Sequence, residues 1–171
     1  YAGDDYTARF EGARPAEQTP GLVLAAMGPQ MLKVAGSRTD GTLLWMTGEK
    51  AIASQIAPKV NEAAAAADRP APRVICSLPI AVTDDEGGMR DFVGQILAGY
   101  GDLPSYRAMM DIDGNAGPGE AMICGDEASV RQQLDALKTA GATEFAAAEI
   151  GGTSEDFART RSLLQEVNAA S

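Results

Sequence analysis

Short continuous apolar runs alternate along the chain with longer stretches in which apolar residues recur at helical spacing. Gly21 to Ala26 (GLVLAA), Thr42 to Met46 (TLLWM), Arg73 to Val82 (RVICSLPIAV) and Glu144 to Ile150 (EFAAAEI) are such runs. Runs of this length, bounded by Gly, Pro or Asp, predict strands buried on both faces, as in parallel sheets. After the first run, Gly28-Pro29 opens a helix from Gln30 to Gly36, since Pro suits the first helical position. After the second, Lys50 to Ala67 reads as a long helix that Pro58 should kink or split. Pro79 is expected to make the second half of the third strand irregular. Thr83, with Glu86 at the capping-box position, predicts an N-terminus for a helix reaching about Ala98. Leu103 to Asp111 reads as a further helix, 111–119 as a loop and Ala121 to Cys124 as a short apolar run. Glu127 to Ala140 is a helix stopped by Gly141, and Ser154 to Ala169 is the last one.

That rhythm predicts an α/β protein with a parallel sheet. Residues 1–20 break it. They are polar, carry only Tyr6 and Phe10 as large apolar groups, and read as a loop or poor hairpin.

Composition narrows the function. The 171 residues suggest one domain, and 24 acidic against 14 basic residues give a net charge of −10. This argues against a nucleic-acid binder, which needs a basic face. No apolar stretch is long enough to span a bilayer and no signal-peptide pattern is seen, so no membrane partner and a cytoplasmic location are expected. Cys76 and Cys124 form no CxxC and lie in apolar runs, so buried, reduced thiols are expected. The chain has no histidine, which excludes Ser-His-Asp and Cys-His chemistry within it and removes the commonest zinc ligand and general base.

In parallel α/β folds ligands bind at the carboxyl ends of strands. Four places qualify: Met27-Gly28-Pro29-Gln30, Trp45-Met46-Thr47-Gly48, Thr83-Asp84-Asp85 and Glu149-Ile150-Gly151-Gly152. At the first, a glycine before a helix lets a ligand approach the backbone, and the amides of Gln30 and Met31 could hold a cofactor phosphate; an ordinary tight turn is the other reading. Trp45, the single tryptophan, could stack on a planar cofactor, close a substrate pocket, or be a rim aromatic. Asp84, Asp85 and Glu86 suggest a metal or acid-base cluster, but helix capping accounts for them better. Asp111 and Asp113 before Gly114 fail the spacing of a calcium loop. Glu149 reads as a rim carboxylate in an ion pair or as a group facing the site, and Cys124 as a buried Cys rather than a reactive thiol.

The stretch LAAMGPQMLKVAGSRTDGTLLWMTG (24–48), with its GP-x-ML-x-x-AG-x-x-x-DG core, resembles the fifth strand, fifth helix and sixth strand of luciferase-like flavin enzymes. LPIAVTDD (78–85), YGDLPSYRAMMD (100–111) and AGPGEAMICGDEASVRQQLDALKTAGATEF (116–145) fit the same family, and WMTG with the YG-x-LPSYRAM-D segment resembles its coenzyme F420-dependent oxidoreductases. The resemblance implies a luciferase-like TIM (β/α)8 barrel of which residues 21–171 supply the C-terminal half, about four βα units, incomplete without upstream residues. Residues 1–20 would belong to the insertion before it. It implies hydride transfer between reduced F420 and a small organic substrate, FMN being the alternative cofactor of a monooxygenase, and a homodimer as the full-length form. A non-catalytic half-barrel is the reading from another class. Ala26, Met27, Gly28, Pro29 and Gln30 match the segment that contacts the cofactor's phosphate-bearing tail, and Trp45, Met46 and Thr47 lie near cofactor and substrate. No metal is implied, and no catalytic residue is carried over, so this stretch alone would be inactive.

Overall fold

The computed structural model describes residues 2–5, 7, 9 and 20–169. Most of the segment expected as loop or hairpin, Tyr6 and Phe10 included, lies outside the described residues; an antiparallel bridge joins Ala2 to Thr7. The strands are Val23–Ala25 (β1), Gly41–Trp45 (β2), Arg73–Val82 (β3), Ile123–Gly125 (β4) and Glu144–Glu149 (β5). The helices are Pro29–Arg38 (α1), Glu49–Ala51 (α2), Ala57–Ala66 (α3), Glu86–Ile96 (α4), Ala98–Gly101 (α5), Pro104–Asp113 (α6), Pro118–Ala121 (α7), Glu127–Ala140 (α8) and Ser154–Ala169 (α9).

All strand pairings are parallel. β1 pairs β2, β2 pairs β3, and β3 pairs β5 on its other edge. β1, β2 and β3 are neighbours in space as in sequence, joined by helical crossovers as the alternating pattern leads one to expect, whereas β5 reaches β3 past the intervening β4. β4 pairs the end of β3, at Ile80–Val82, beyond the point where β2 stops opposite Ser77.

That change of partner explains why Pro79 leaves β3 regular over all ten residues, contrary to expectation. Arg73 and Thr83 donate their N–H groups to Asp40 and Gly125, on the β2/β4 side, while the carbonyls of Val74 and Ile80 accept from Thr143 and Ile150 on the β5 side. Odd-numbered backbone groups therefore face β2 and β4. Pro79 falls in the gap between those two partners, where its missing N–H breaks no ladder bond.

The sheet has one covered face and one open face. Thr42 and Leu44 are wholly buried, whereas Leu43 between them is 41% exposed. Leu44, Val74, Cys76, Leu78, Ile80 and Val82 pack with Leu32, Ile52, Ile56, Val60, Val130 and Leu137 from the helices. The opposite face carries the row Ala25, Leu43, Ile75 and Glu144. Arg73 reaches Glu144 there through its Nε at 2.6 Å.

The interruption expected at Pro58 takes the form of a π-helical turn at Ile52–Ile56, with Pro58 in the first turn of α3 just after it, where the N–H that proline lacks is not needed by the α-helical ladder. Two other helix predictions are corrected. Thr83 is not the cap of α4. Asp85 is, accepting from the Gly88 N–H at 3.0 Å, while the Thr83 hydroxyl accepts from the Asp85 N–H. The segment 111–119 is not all loop, because α6 runs to Asp113 and α7 begins at Pro118, which delays β4 to Ile123. By contrast α8 has the predicted bounds, with Asp126 accepting from Ser129 N–H and Gly141 left-handed at φ 109°.

Candidate functional site

The carboxyl ends of β1, β2, β3 and β5 lie along one end of the sheet, as parallel pairing requires. Helices begin just beyond each of them, and their first turns differ in one respect. α4 is capped by Asp85 and α8, after β4, by Asp126. α2 receives the carboxylate of Asp113. α9 begins with a reciprocal pair: Asp156 accepts from the N–H and hydroxyl of Thr153 and donates its own N–H to the Thr153 hydroxyl. Among the described residues α1 alone of these five has neither a side-chain cap nor an acid in its first turn. Its N-cap is Gly28, extended at φ −75° and ψ 152°, and a side chain grafted there would meet nothing within 4 Å. Gly28, Pro29 and Gln30 are exposed. The turn offers a positive helix end beside open space, which is what an anionic group requires.

The loop after β1 is tied to the loop after β2. The Thr42 hydroxyl donates to the Ala26 carbonyl at 2.9 Å, and the Thr47 hydroxyl lies 3.3 Å from the Met27 sulfur. Ala26, Met46 and Thr47 are buried, Met27 and Trp45 half-buried. The structure thus ties the two groups of sequence-predicted residues together, with Gly28, Pro29 and Gln30 exposed and, of the rest, only Met27 and Trp45 partly so. Met46 has φ 53°, a left-handed conformation uncommon for a side chain of this kind, which is why β2 ends at Trp45 and not Met46. The Trp45 ring meets Tyr100 edge-on, centroids 6.1 Å apart, and Tyr100 meets Tyr106 in the same way at 5.0 Å.

The other candidates resolve into separate partners. Asp84 pairs with Arg159, Asp85 caps α4, and Glu86 pairs with Arg90. Asp111 pairs with Arg107, and Glu149 with Arg161. Among the described residues no three His, Cys, Asp or Glu side chains group to hold a metal ion. Both thiols are free and buried. Desolvation, helped by the nearby Asp113 carboxylate, pushes Cys76 up to about 12, and desolvation likewise raises Cys124. Burial and the upward shift both disfavour the reactive thiolate.

Two residues behind the site escaped the sequence reading. Asp113 caps a helix 65 positions earlier, and no local motif announces a cap of that separation. Arg159 joins Asp84, after β3, to Glu127, at the start of α8, through bonds of 2.8 to 3.0 Å. Glu127 is held at about 2, first by the hydrogen bond from Arg159. A depressed carboxylate contributes stability above its unfolded value, and that contribution is lost as pH falls through the folded one. Arg159→Gln is therefore expected to raise Glu127 toward the ordinary carboxylate range, the backbone hydrogen bond alone still holding it down, and to flatten the loss of stability at low pH. A carboxyl carbon NMR titration reads the first effect, and an unchanged midpoint would refute it. Asp156 shifts the other way from its environment: burial works to raise it, but hydrogen bonds from Thr153 and Thr83 win and lower it.

A pocket of about 480 Å³ lies on the helix side, between Gly48–Lys50, Asn115, Met122 and α8. It includes Gly48 from the β2 end but none of Ala26–Gln30 or Trp45–Thr47. No described helix is long and apolar enough to cross a membrane.

A family profile described as luciferase-like monooxygenase matches residues 1–144. No curated protein matches the sequence. Among solved structures, an F420-dependent secondary alcohol dehydrogenase in complex with an F420-acetone adduct is similar with a TM-score of 0.63 at 15% identity, over 86% of this chain and 50% of that one. The coenzyme F420 dependent tetrahydromethanopterin reductase of Methanopyrus kandleri gives 0.57 at 20%, over 79% and 47%. The oxygenating constituent of 3,6-diketocamphane monooxygenase from Pseudomonas putida, in complex with FMN, gives 0.61 at 13%, over 83% and 45%. The chain spans about half the length of the solved structures it matches, and at these identities the likeness speaks to fold. It agrees with a partial (β/α)8 barrel.

Proposed function

Because the chain belongs to the luciferase-like monooxygenase family, we propose that it is the C-terminal half, from residue 21 onward, of an oxidoreductase that uses coenzyme F420 to transfer hydride to or from a small organic substrate. The observation that carries this reading is the first turn of α1, uncapped, free of acids and open beside Gly28. An acidic chain that caps its other strand-following helices with carboxylates leaves this one for an anion from outside. Gly28 and the amides of Gln30 and Met31 would hold the phosphate of the cofactor tail, with Ala26 and Met27 shaping the approach and Pro29 setting the turn. Trp45, Met46 and Thr47 would line the neighbouring strand end and keep water from the reacting centre. When bound, the deazaflavin supplies the hydride chemistry, and the protein's part is binding and orientation. Two of the similar structures are F420-dependent by description, which favours this cofactor. One in complex with FMN supports the second reading, an FMN-dependent monooxygenase. The working form on this proposal is a cytoplasmic homodimer of the full-length protein.

Titration of the full-length protein with F420 and with FMN tests the assignment, followed by quenching of the cofactor's own fluorescence. Selective binding of F420 is the expected result. Binding of FMN alone would move the protein to the monooxygenase reading. Binding of neither would leave a barrel without a redox cofactor and sink both.

A further inference from the structure

Two unfavourable features stand at consecutive residues where β2 ends. The indole N–H of Trp45 is buried with no acceptor among the described residues, and a buried donor left unpaired is costly. Next to it, Met46 is wholly buried in a left-handed conformation at φ 53°. Local strain of this kind persists where the surroundings enforce it, commonly at ligand sites. Packing against Met110 and Ala121 accounts for the burial of Met46 but supplies no acceptor for the indole. A phenylalanine would fill most of the same space without an orphan donor.

The surroundings of the indole suggest what the donor is for. Trp45 shares its cross-strand row with Ser77 and Ala146, both small. The Ser77 hydroxyl is already committed to the Ala146 carbonyl at 2.8 Å. The row therefore forms a low floor with one tall aromatic wall. Tyr100, half-buried, stands edge-on against that wall, and Tyr106 stands edge-on against Tyr100. Both tyrosines come from the α5–α6 segment and not from the sheet. The three rings form an edge-to-face cluster around one buried in-plane donor, which a flat ring bearing a carbonyl oxygen would satisfy if it took the place of the Tyr100 ring.

We propose that the Trp45 indole N–H is a ligand donor, bonding a carbonyl oxygen of a flat conjugated ring laid over the Ser77–Ala146 floor, and that Tyr100 turns aside to admit it. This rests on the reading of this end of the sheet as the redox site. The carbonyl has two possible sources, the tricyclic ring of the cofactor or a quinone-like substrate.

In ¹⁵N-labelled full-length protein the Trp45 indole cross-peak is the one lost in Trp45→Phe. The probes are F420, FMN, and menadione added with or without either. With a cofactor ring as the acceptor, the peak moves downfield and its exchange with solvent slows on adding F420 or FMN. With a substrate as the acceptor, it moves only on adding menadione. Trp45→Phe should weaken the probe concerned about five- to tenfold while leaving the unliganded melting temperature unchanged or higher. Tyr100→Ala should speed indole exchange in the free protein. A peak unmoved by every probe, or unaltered affinity in Trp45→Phe, overturns the proposal. Cofactor fluorescence separates the two failures: F420 or FMN bound with an unmoved peak leaves the cofactor reading standing, and no cofactor bound removes that reading itself.

Discussion

Replacing Asp113 by alanine is expected to cost about 3 kcal/mol of stability. The carboxylate is buried and divides its oxygens between two backbone donors, Gly48 N–H at 2.7 Å and Ala51 N–H at 2.9 Å. Those are orphan groups at the start of a helix, which need partners and favour a negative charge. An ordinary cap is worth about 1 kcal/mol. Here two charge-assisted bonds are made in a partly desolvated place, and their loss strands buried N–H groups, so the larger figure applies. The Lys50 amine, which donates to the Asp113 carbonyl at 2.9 Å, keeps its bond in the variant because the backbone remains. Asp113→Asn retains one acceptor and the shape but not the charge, and should lose about half as much. Urea unfolding of the three proteins checks the order. A loss below about 1 kcal/mol in the alanine variant would mean that water replaces the carboxylate without difficulty. Because Gly48 leads from the β2 end into α2, the same variant should weaken binding at that end.

Gly36→Val is expected to be comparably damaging, at about 3 kcal/mol. A side-chain carbon at Gly36 would lie 2.3 Å from the Val60 carbonyl oxygen and 2.8 Å from the Ala63 methyl. The first atom is backbone inside α3 and cannot turn away. The α1–α3 pair would have to separate, opening the cluster in which Leu32 and Val60 are wholly buried. Gly36→Ala makes the sharper test. Helix propensity alone predicts a gain of about 0.5–1 kcal/mol, whereas the close approach predicts a net loss. Thermal melts of both variants decide between them, and a stabilised alanine variant would show that the two helices can move apart freely.

The alternation of strands and helices was legible in the sequence because it depends on short-range pattern. The parallel strands are marked by continuous apolar runs, although one face of the sheet is open here and not buried as expected, and α8 carries its start and stop, Asp126 and Gly141, within its own neighbourhood. The loop Ala26–Gln30 and the strand end Trp45–Thr47 could be nominated for the same reason, since a parallel sheet always presents its carboxyl ends to a ligand. Misplaced features were those whose partners lie far away in sequence. Pro79 was expected to disturb β3, but its tolerance depends on β2 ending and β4 beginning on one side of it. Thr83 and Asp85 compete for one helix start, and the choice turns on backbone angles that sequence does not state.

Residue types and their short-range order thus determined an acidic, histidine-free α/β chain, the bounds of α8 and α9, and the strand ends at which a ligand would bind. Tertiary structure decided which helix start stays uncapped, because Asp113 reaches α2 from 65 residues away while among the described residues nothing comparable reaches α1. It also decided that Trp45 meets Tyr100 with its indole N–H left without an acceptor among the described residues. Capping and orphaned donors are settled by which distant groups the fold brings within about 3 Å, and local pattern carries no record of that distance.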